Sequence, residues 1–185
     1  AFGFSAGGHA DLELGERVDR ERVRQFEEPV RFLFLGEPFV GMSGHELNTM
    51  LVEAGLRRED CFITNVCRLR PPNNKIEDWI HHPKRGVPSG FVPMRNKHVY
   101  LPVLRGYELL QKELQAVQPN LVIALGNVAM WALTGKWGIT DWRGSQLETD
   151  AGLKVIPTYH PAAILRQYSW RSAAVADLRR AAREA

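Results

Sequence analysis

The chain has 185 residues, 44% hydrophobic and 24% charged, with a formal net charge of +3. These values suit one globular domain and exclude a disordered chain, and no stretch approaches the roughly 20 apolar residues of a membrane helix. Two cysteines, Cys61 and Cys67, are too few for a disulfide framework or a four-ligand metal site. The first residues show no basic segment followed by an apolar run, so no signal peptide is expected and the reading is a reduced, cytoplasmic domain.

In chain order, residues 1–29 are Gly-rich and then charged, and read as an N-terminal extension. Val30–Leu35 (VRFLFL) is a short apolar run ending at Gly36, the pattern of a buried strand. Ser43-x-x-Glu46 has the form of a capping box ahead of LNTMLVEAG, predicting a helix to Ala54 stopped by Gly55. Cys61–Val66 (CFITNV) predicts the next buried strand. From Cys67 to Arg105 the Pro and Gly density predicts an ordered loop insertion, with one helical turn at IEDWIHH. Tyr107–Val117 has helical spacing and is closed by Gln118-Pro119. Asn120–Leu125 (NLVIAL) predicts a third buried strand, followed by a turn at Gly126-Asn127 and a helix ended by Gly135. Arg143–Leu147 and Lys154–Pro157 predict two short strands, and Ser169 is a candidate cap for a final helix. The alternation predicts one α/β domain over 1–185: three layers, α/β/α, around a short, mostly parallel four-stranded sheet.

Charge is unevenly spread. Residues 57–105 hold ten Lys/Arg and four Asp/Glu, so this window is +6 and the remainder −3. Arginine outnumbers lysine eighteen to six, which suits bidentate phosphate contacts. A basic loop region in an otherwise slightly acidic domain points to a polyanionic partner. In parallel sheets the active site lies outside the carboxyl ends of the strands. The groups predicted there are Gly36-Glu37, Thr64-Asn65, Gly126-Asn127 and Thr158-Tyr159-His160-Pro161.

These residues carry a resemblance. LFLGE with PFVGMSG, then ITNVCRLRPPNN, NLVIALGNVA and IPTYHPAAILR, in that order over residues 31–182, resemble the uracil-DNA glycosylase superfamily, and within it family 4 and its phage-type relatives. The resemblance implies a four-stranded parallel sheet between helices. It also implies a hydrolase, a monofunctional DNA N-glycosylase that flips a pyrimidine out of single- or double-stranded DNA and leaves an abasic site. It implies a monomer of bacterial or phage origin. Phe39 matches the residue that stacks on the flipped base, beside Gly36. Asn65 matches the base-reading asparagine, whose amide can donate to and accept from the O4/N3 edge. His160 matches the His-Pro histidine, a donor to the O2 on which negative charge develops. Ala162–Arg166 resembles the minor-groove loop, with Ile164 or Leu165 as the wedge and Arg166 as a phosphate contact. Ser43-Gly44 and Gly126-Asn127 are candidate main-chain phosphate cradles, with Arg68 and Arg70 near the same path.

Two departures stand beside the matches. The family carries a longer loop between Gly-Glu and Pro-Phe-Val-Gly that helps orient the attacking water. Here Glu37 joins Pro38 directly: either a segment between the two is missing from the sequence, or the loop is lost and Glu37 is the local acid left. The four cysteines of the family 4 iron–sulfur cluster have no counterpart, with Leu69 at a ligand position, so no cofactor is expected and both cysteines read as buried hydrophobes. His81, His82 and His98 lack the acids or cysteines of a metal site, and IHHPKRG is not the histidine motif of a covalent-trapping relative. Two alternatives are a glycosylase for C5-modified phage pyrimidines, such as hydroxymethylated or glucosylated bases, and a non-catalytic DNA-binding module. Nucleotide hydrolysis is disfavoured because no Gly-rich Lys motif follows a strand.

Overall fold

A computed structural model describes residues 32–35 and 41–185. Among the described residues the main sheet has five strands rather than the four expected: β1 (Phe32–Leu35), β2 (Cys61–Thr64), β6 (Leu121–Leu125), β8 (Lys154–Thr158) and β7 (Leu147–Glu148). Their spatial order is β2-β1-β6-β8-β7. The first four run parallel, and β7 is an antiparallel edge on β8. Only Leu147 of the expected Arg143–Leu147 strand is extended in the sheet. Arg143 follows a short helix, α4 (Ile139–Trp142), and Gly144 turns the chain at φ +69. In register, Leu35 lies between Thr64 and Ala124, and Leu125 pairs with Thr158, so the four parallel strands end together on one rim.

Buried strands carry side chains on both faces, and successive residues of β6 divide between two cores. Val122 and Ala124 join Phe62 and Val155 in one, together with Val103 and Leu110 of α2 (Leu101–Val117) and Met130 of α3 (Gly126–Thr134). Leu121 and Ile123 join Ile63 and Ile156 in the other. There Leu47 and Leu51 of α1 (Met42–Ala54), Ile164 of α5 (Pro161–Arg166) and Leu178 of α6 (Arg171–Glu184) pack against them.

Three local expectations are corrected. The Ser43–Glu46 capping box does not form. Gly41 is the N-cap of α1, no side chain caps it, and Glu46 instead accepts from Arg171 Nε at 2.7 Å. Ser169 does not cap α6, whose N-cap is Trp170 without a side-chain bond. The helix expected from Tyr107 begins at Leu101, because Pro102 lies in its first turn, where the missing N–H costs nothing.

The basic insertion is more regular than its composition predicts. It holds a helical turn at Ile76–Trp79 and a small antiparallel sheet, β3 (Ile80–His81), β5 (Lys97–Tyr100) and β4 (Phe91–Met94), in that spatial order. Met94 and Val99 plug it into the α2–α3 core. Among the described residues no helix is long and apolar enough to cross a membrane, and no group of three or more His, Cys, Asp or Glu could hold a metal.

Candidate active site at the strand ends

Gly36, Glu37 and Phe39 lie outside the described residues. The remaining groups of the rim come from β2, β6 and β8, with β1 between β2 and β6.

At the end of β8, Thr158 is buried and donates through Oγ1 to Asp177 Oδ2 at 2.7 Å. Arg143 closes on the same carboxylate from Nε at 3.0 Å and Nη2 at 2.5 Å, and Nη2 also donates to the carbonyl of Ala173. Burial pushes the Asp177 carboxyl up, against the opposing pull of the Thr158 hydroxyl and the Arg143 charge. Tyr159 is buried, stacked on Trp170 with ring centroids 4.5 Å apart, and the Arg143 guanidinium lies over its ring at 5.5 Å.

His160 then serves as the N-cap of α5, with Nδ1 accepting from the amide of Ala162 at 3.1 Å. An acceptor at Nδ1 carries no proton, so the neutral ring bears its hydrogen on Nε2. Desolvation, with a smaller push from Arg166, lowers the His160 pKa to about 4, so the ring is neutral near pH 7. Gly126, at φ +85, faces it across the rim, and a Cβ there would come within 3.2 Å of His160 Cβ. Glycine is needed at that position for both reasons.

At the end of β2, Thr64 is likewise buried and donates to Glu113 Oε2 at 2.6 Å. Arg68 Nη2 holds the other oxygen at 2.5 Å. Asn65 is half-buried, and among the described residues no hydrogen bond holds its carboxamide. The backbone after it packs against α2 at Gly106, where an added Cβ would overlap the Val66 carbonyl oxygen.

Among the expected DNA contacts, Ile164 is fully buried and belongs to the α6 core, which removes it as a wedge. Leu165 is 38% exposed beside it. Helical spacing explains the split: consecutive residues of α5 are turned about 100° apart, so Ile164 meets the core and Leu165 does not. Arg166 and Arg70 are exposed. Arg68, although exposed, donates to Glu113, and Asn127 Oδ1 accepts from the amides of Gly138 and Ile139, so both side chains are engaged within the fold. Ser43 is half-buried, and the Gly44 amide donates to the Gly41 carbonyl as the first turn of α1 closes. Several cations of the +6 window are similarly occupied. Arg57 pairs with Asp60, Arg58 donates to Asn48, and Arg95 binds the last carbonyls of α3 at Ala132 and Leu133.

An iron–sulfur cluster does not fit the residues present. Cys61 and Cys67 are the chain's two cysteines, both are buried, and their thiols donate to the carbonyls of Arg57 and Leu69. Burial pushes the Cys61 thiol up to about 12, far from the thiolate a metal requires.

Sequence reasoning missed Glu113, Asp177, Arg143 and Gly106. A signal was present: Glu113 sits in helical register with Leu110 and Val117, and Asp177 with Ala174 and Ala181, so each acid lies on an apolar stripe. An acid there needs a buried partner.

The model of the uracil DNA glycosylase superfamily matches residues 26–181. The chain is similar to the Type-4 uracil-DNA glycosylase of Thermotoga maritima, with 35% identity over 136 residues, covering 72% of this chain and 60% of the relative. It is similar to that of Archaeoglobus fulgidus at 32% over 153 residues, covering 78% and 66%. It is similar to that of Pyrobaculum aerophilum at 31% over 179 residues, covering 92% and 78%. The chain therefore spans less than two thirds of the first two of these relatives.

Proposed function

The chain belongs to the uracil DNA glycosylase superfamily, and from that premise we propose that it excises uracil from DNA by hydrolysing the N-glycosidic bond. The single observation that carries this reading is the juxtaposition at one rim of a neutral, Nε2-protonated His160 and an Asn65 carboxamide with no internal partner among the described residues. In the proposed reaction a flipped uracil presents its O4/N3 edge to Asn65, which both accepts and donates. The C1′–N1 bond breaks with its electron pair moving onto the base, and His160 Nε2–H donates to O2 as the charge develops there. A neutral donor suits this step because it needs no proton from solvent. Water supplies hydroxide to C1′ and a proton to the departing uracil, giving free base and an abasic deoxyribose.

Glu37 is the acid proposed to orient that water, Phe39 is proposed to stack on the base, and Gly36 is proposed as a further base-binding residue. These three roles rest on the family resemblance. On the DNA side, the exposed Leu165 is the proposed wedge, with Arg166 and Arg70 on phosphates and the main chain at Ser43 and Gly126 close to the same path. The protein is proposed to act as a monomer.

The test is a base-release assay with the full chain on oligonucleotides carrying uracil, thymine or a 5-hydroxymethylated pyrimidine, read by strand scission after alkali. Scission at uracil is expected. No scission at any of them would overturn the enzyme reading.

A further inference from the structure

Thr158, Asp177 and Arg143 form a relay that begins at the last residue of β8 and ends on the ring beside His160. Thr158 precedes His160 by two residues, and its hydroxyl is anchored to Asp177 on α6. Arg143 holds the same carboxylate through two nitrogens and covers Tyr159, whose other neighbour is Trp170. The space for the carboxylate exists because residue 144 is glycine. A Cβ there would overlap Asp177 Oδ1, and the Gly144 amide itself donates to the Pro157 carbonyl at 2.8 Å. Every backbone unit from 157 to 160 is thus tied to a neighbour, directly or through its side chain. A buried pair of this kind adds little net stability, since desolvation offsets most of its attraction. Its contribution is conformational: it leaves one arrangement of the strand end. We propose that Thr158, Asp177 and Arg143 are positioning residues that fix the His160 ring against its Ala162 cap, so that Nε2–H is aimed before the base arrives.

This inference rests on the excision reading for its kinetic test but not for its structural one. A donor held in place acts in the transition state rather than on ground-state binding, so its misplacement lowers kcat with KM held. Thr158→Val keeps the shape and removes the hydroxyl, leaving Asp177 paired with Arg143, whereas Thr158→Ser restores the donor. Val117→Ala, at the far end of α2, is the control for stability alone.

The experiment measures uracil release by the full chain and, separately, hydrogen exchange at the Ala162 amide. Thr158→Val is expected to lower kcat about tenfold with KM within about threefold, and Thr158→Ser to stay within about threefold of wild type in both. The Ala162 amide should exchange about tenfold faster in Thr158→Val and Asp177→Asn than in Val117→Ala. If wild type releases no uracil, the excision reading fails alone and the exchange data decide the positioning claim. Equal kcat for Thr158→Val and Val117→Ala in an active protein, or equal Ala162 exchange in all variants, would overturn it.

Discussion

The two outer parallel strands, β2 and β8, end in the same local chemistry and deliver opposite kinds of group. Each closes on a buried threonine bonded to a helix carboxylate that an arginine neutralises: Thr64–Glu113–Arg68 from α2, and Thr158–Asp177–Arg143 from α6. The helices lie in different cores, so the crevice walls are held from opposite faces of the sheet. Past the threonine the walls diverge. On β8 the next residues are stacked and capped until His160 has its Nδ1 filled. On β2 the next residue, Asn65, keeps a carboxamide that no described residue engages. The pinned wall suits a group whose direction sets the rate, and the open wall suits a group that must exchange water for a base.

The largest effects should separate the walls by what else they lose. His160→Ala is expected to slow excision by about 10²–10³-fold, as for other lost oxyanion donors. It should also cost about 1 kcal/mol of stability, since the Ala162 amide loses its cap. Asn65→Ala should lower kcat/KM by about 10²-fold for two lost hydrogen bonds, with stability within about 0.5 kcal/mol of wild type. Single-turnover rates with urea titrations read both, and an Asn65→Ala protein destabilised as much as His160→Ala would break the distinction.

Next in size is the contrast within α5. Ile164→Ala should cost about 2–5 kcal/mol of stability by opening a core cavity. Leu165→Ala should leave stability within about 0.5 kcal/mol and weaken binding to uracil-containing duplex, read by fluorescence anisotropy.

The pinned wall also carries a pH signature. The folded-state pKa of His160, about 4, lies below its ordinary 6.5. Between these values the unfolded chain binds the extra proton, so stability is fully present above pH 6.5 and falls as pH drops toward 4, by about 3 kcal/mol from this group. The denaturant midpoint of wild type should fall relative to that of His160→Asn over that window. Parallel pH profiles would contradict the desolvated neutral ring.

A further effect is expected on the open wall. Gly106→Ala forces α2 off the backbone after Asn65, at about 1–3 kcal/mol. It should lower excision without speeding exchange at Ala162, which lies on the other wall.

Much of this was legible from local pattern. The apolar runs around Leu33, Ile63 and Ile123 announced strands, those around Ile63 and Ile123 buried, and Gly55 and Gly135 ended their helices in left-handed conformation. The order Thr64-Asn65 and Thr158-Tyr159-His160, each after an apolar run, already put the two polar groups on one rim. What stayed hidden depended on contacts distant in sequence. Pro102 and Gly106 look like helix breakers until the first is seen in the opening turn and the second against the Val66 carbonyl. Glu46 looks like a cap until Arg171 claims it. Ile164 and Leu165 are equivalent wedges until α5 turns one of them inward. Four cations of the basic window look like phosphate ligands until Asp60, Asn48, Glu113 and the end of α3 take them.

The most direct test of the account is the single-turnover rate of uracil release from a uracil-containing oligonucleotide by wild type and His160→Ala at saturating protein. Wild type is expected to release uracil and the variant to be slower by about 10²-fold or more, with DNA affinity little changed. Equal rates for the two proteins would contradict it.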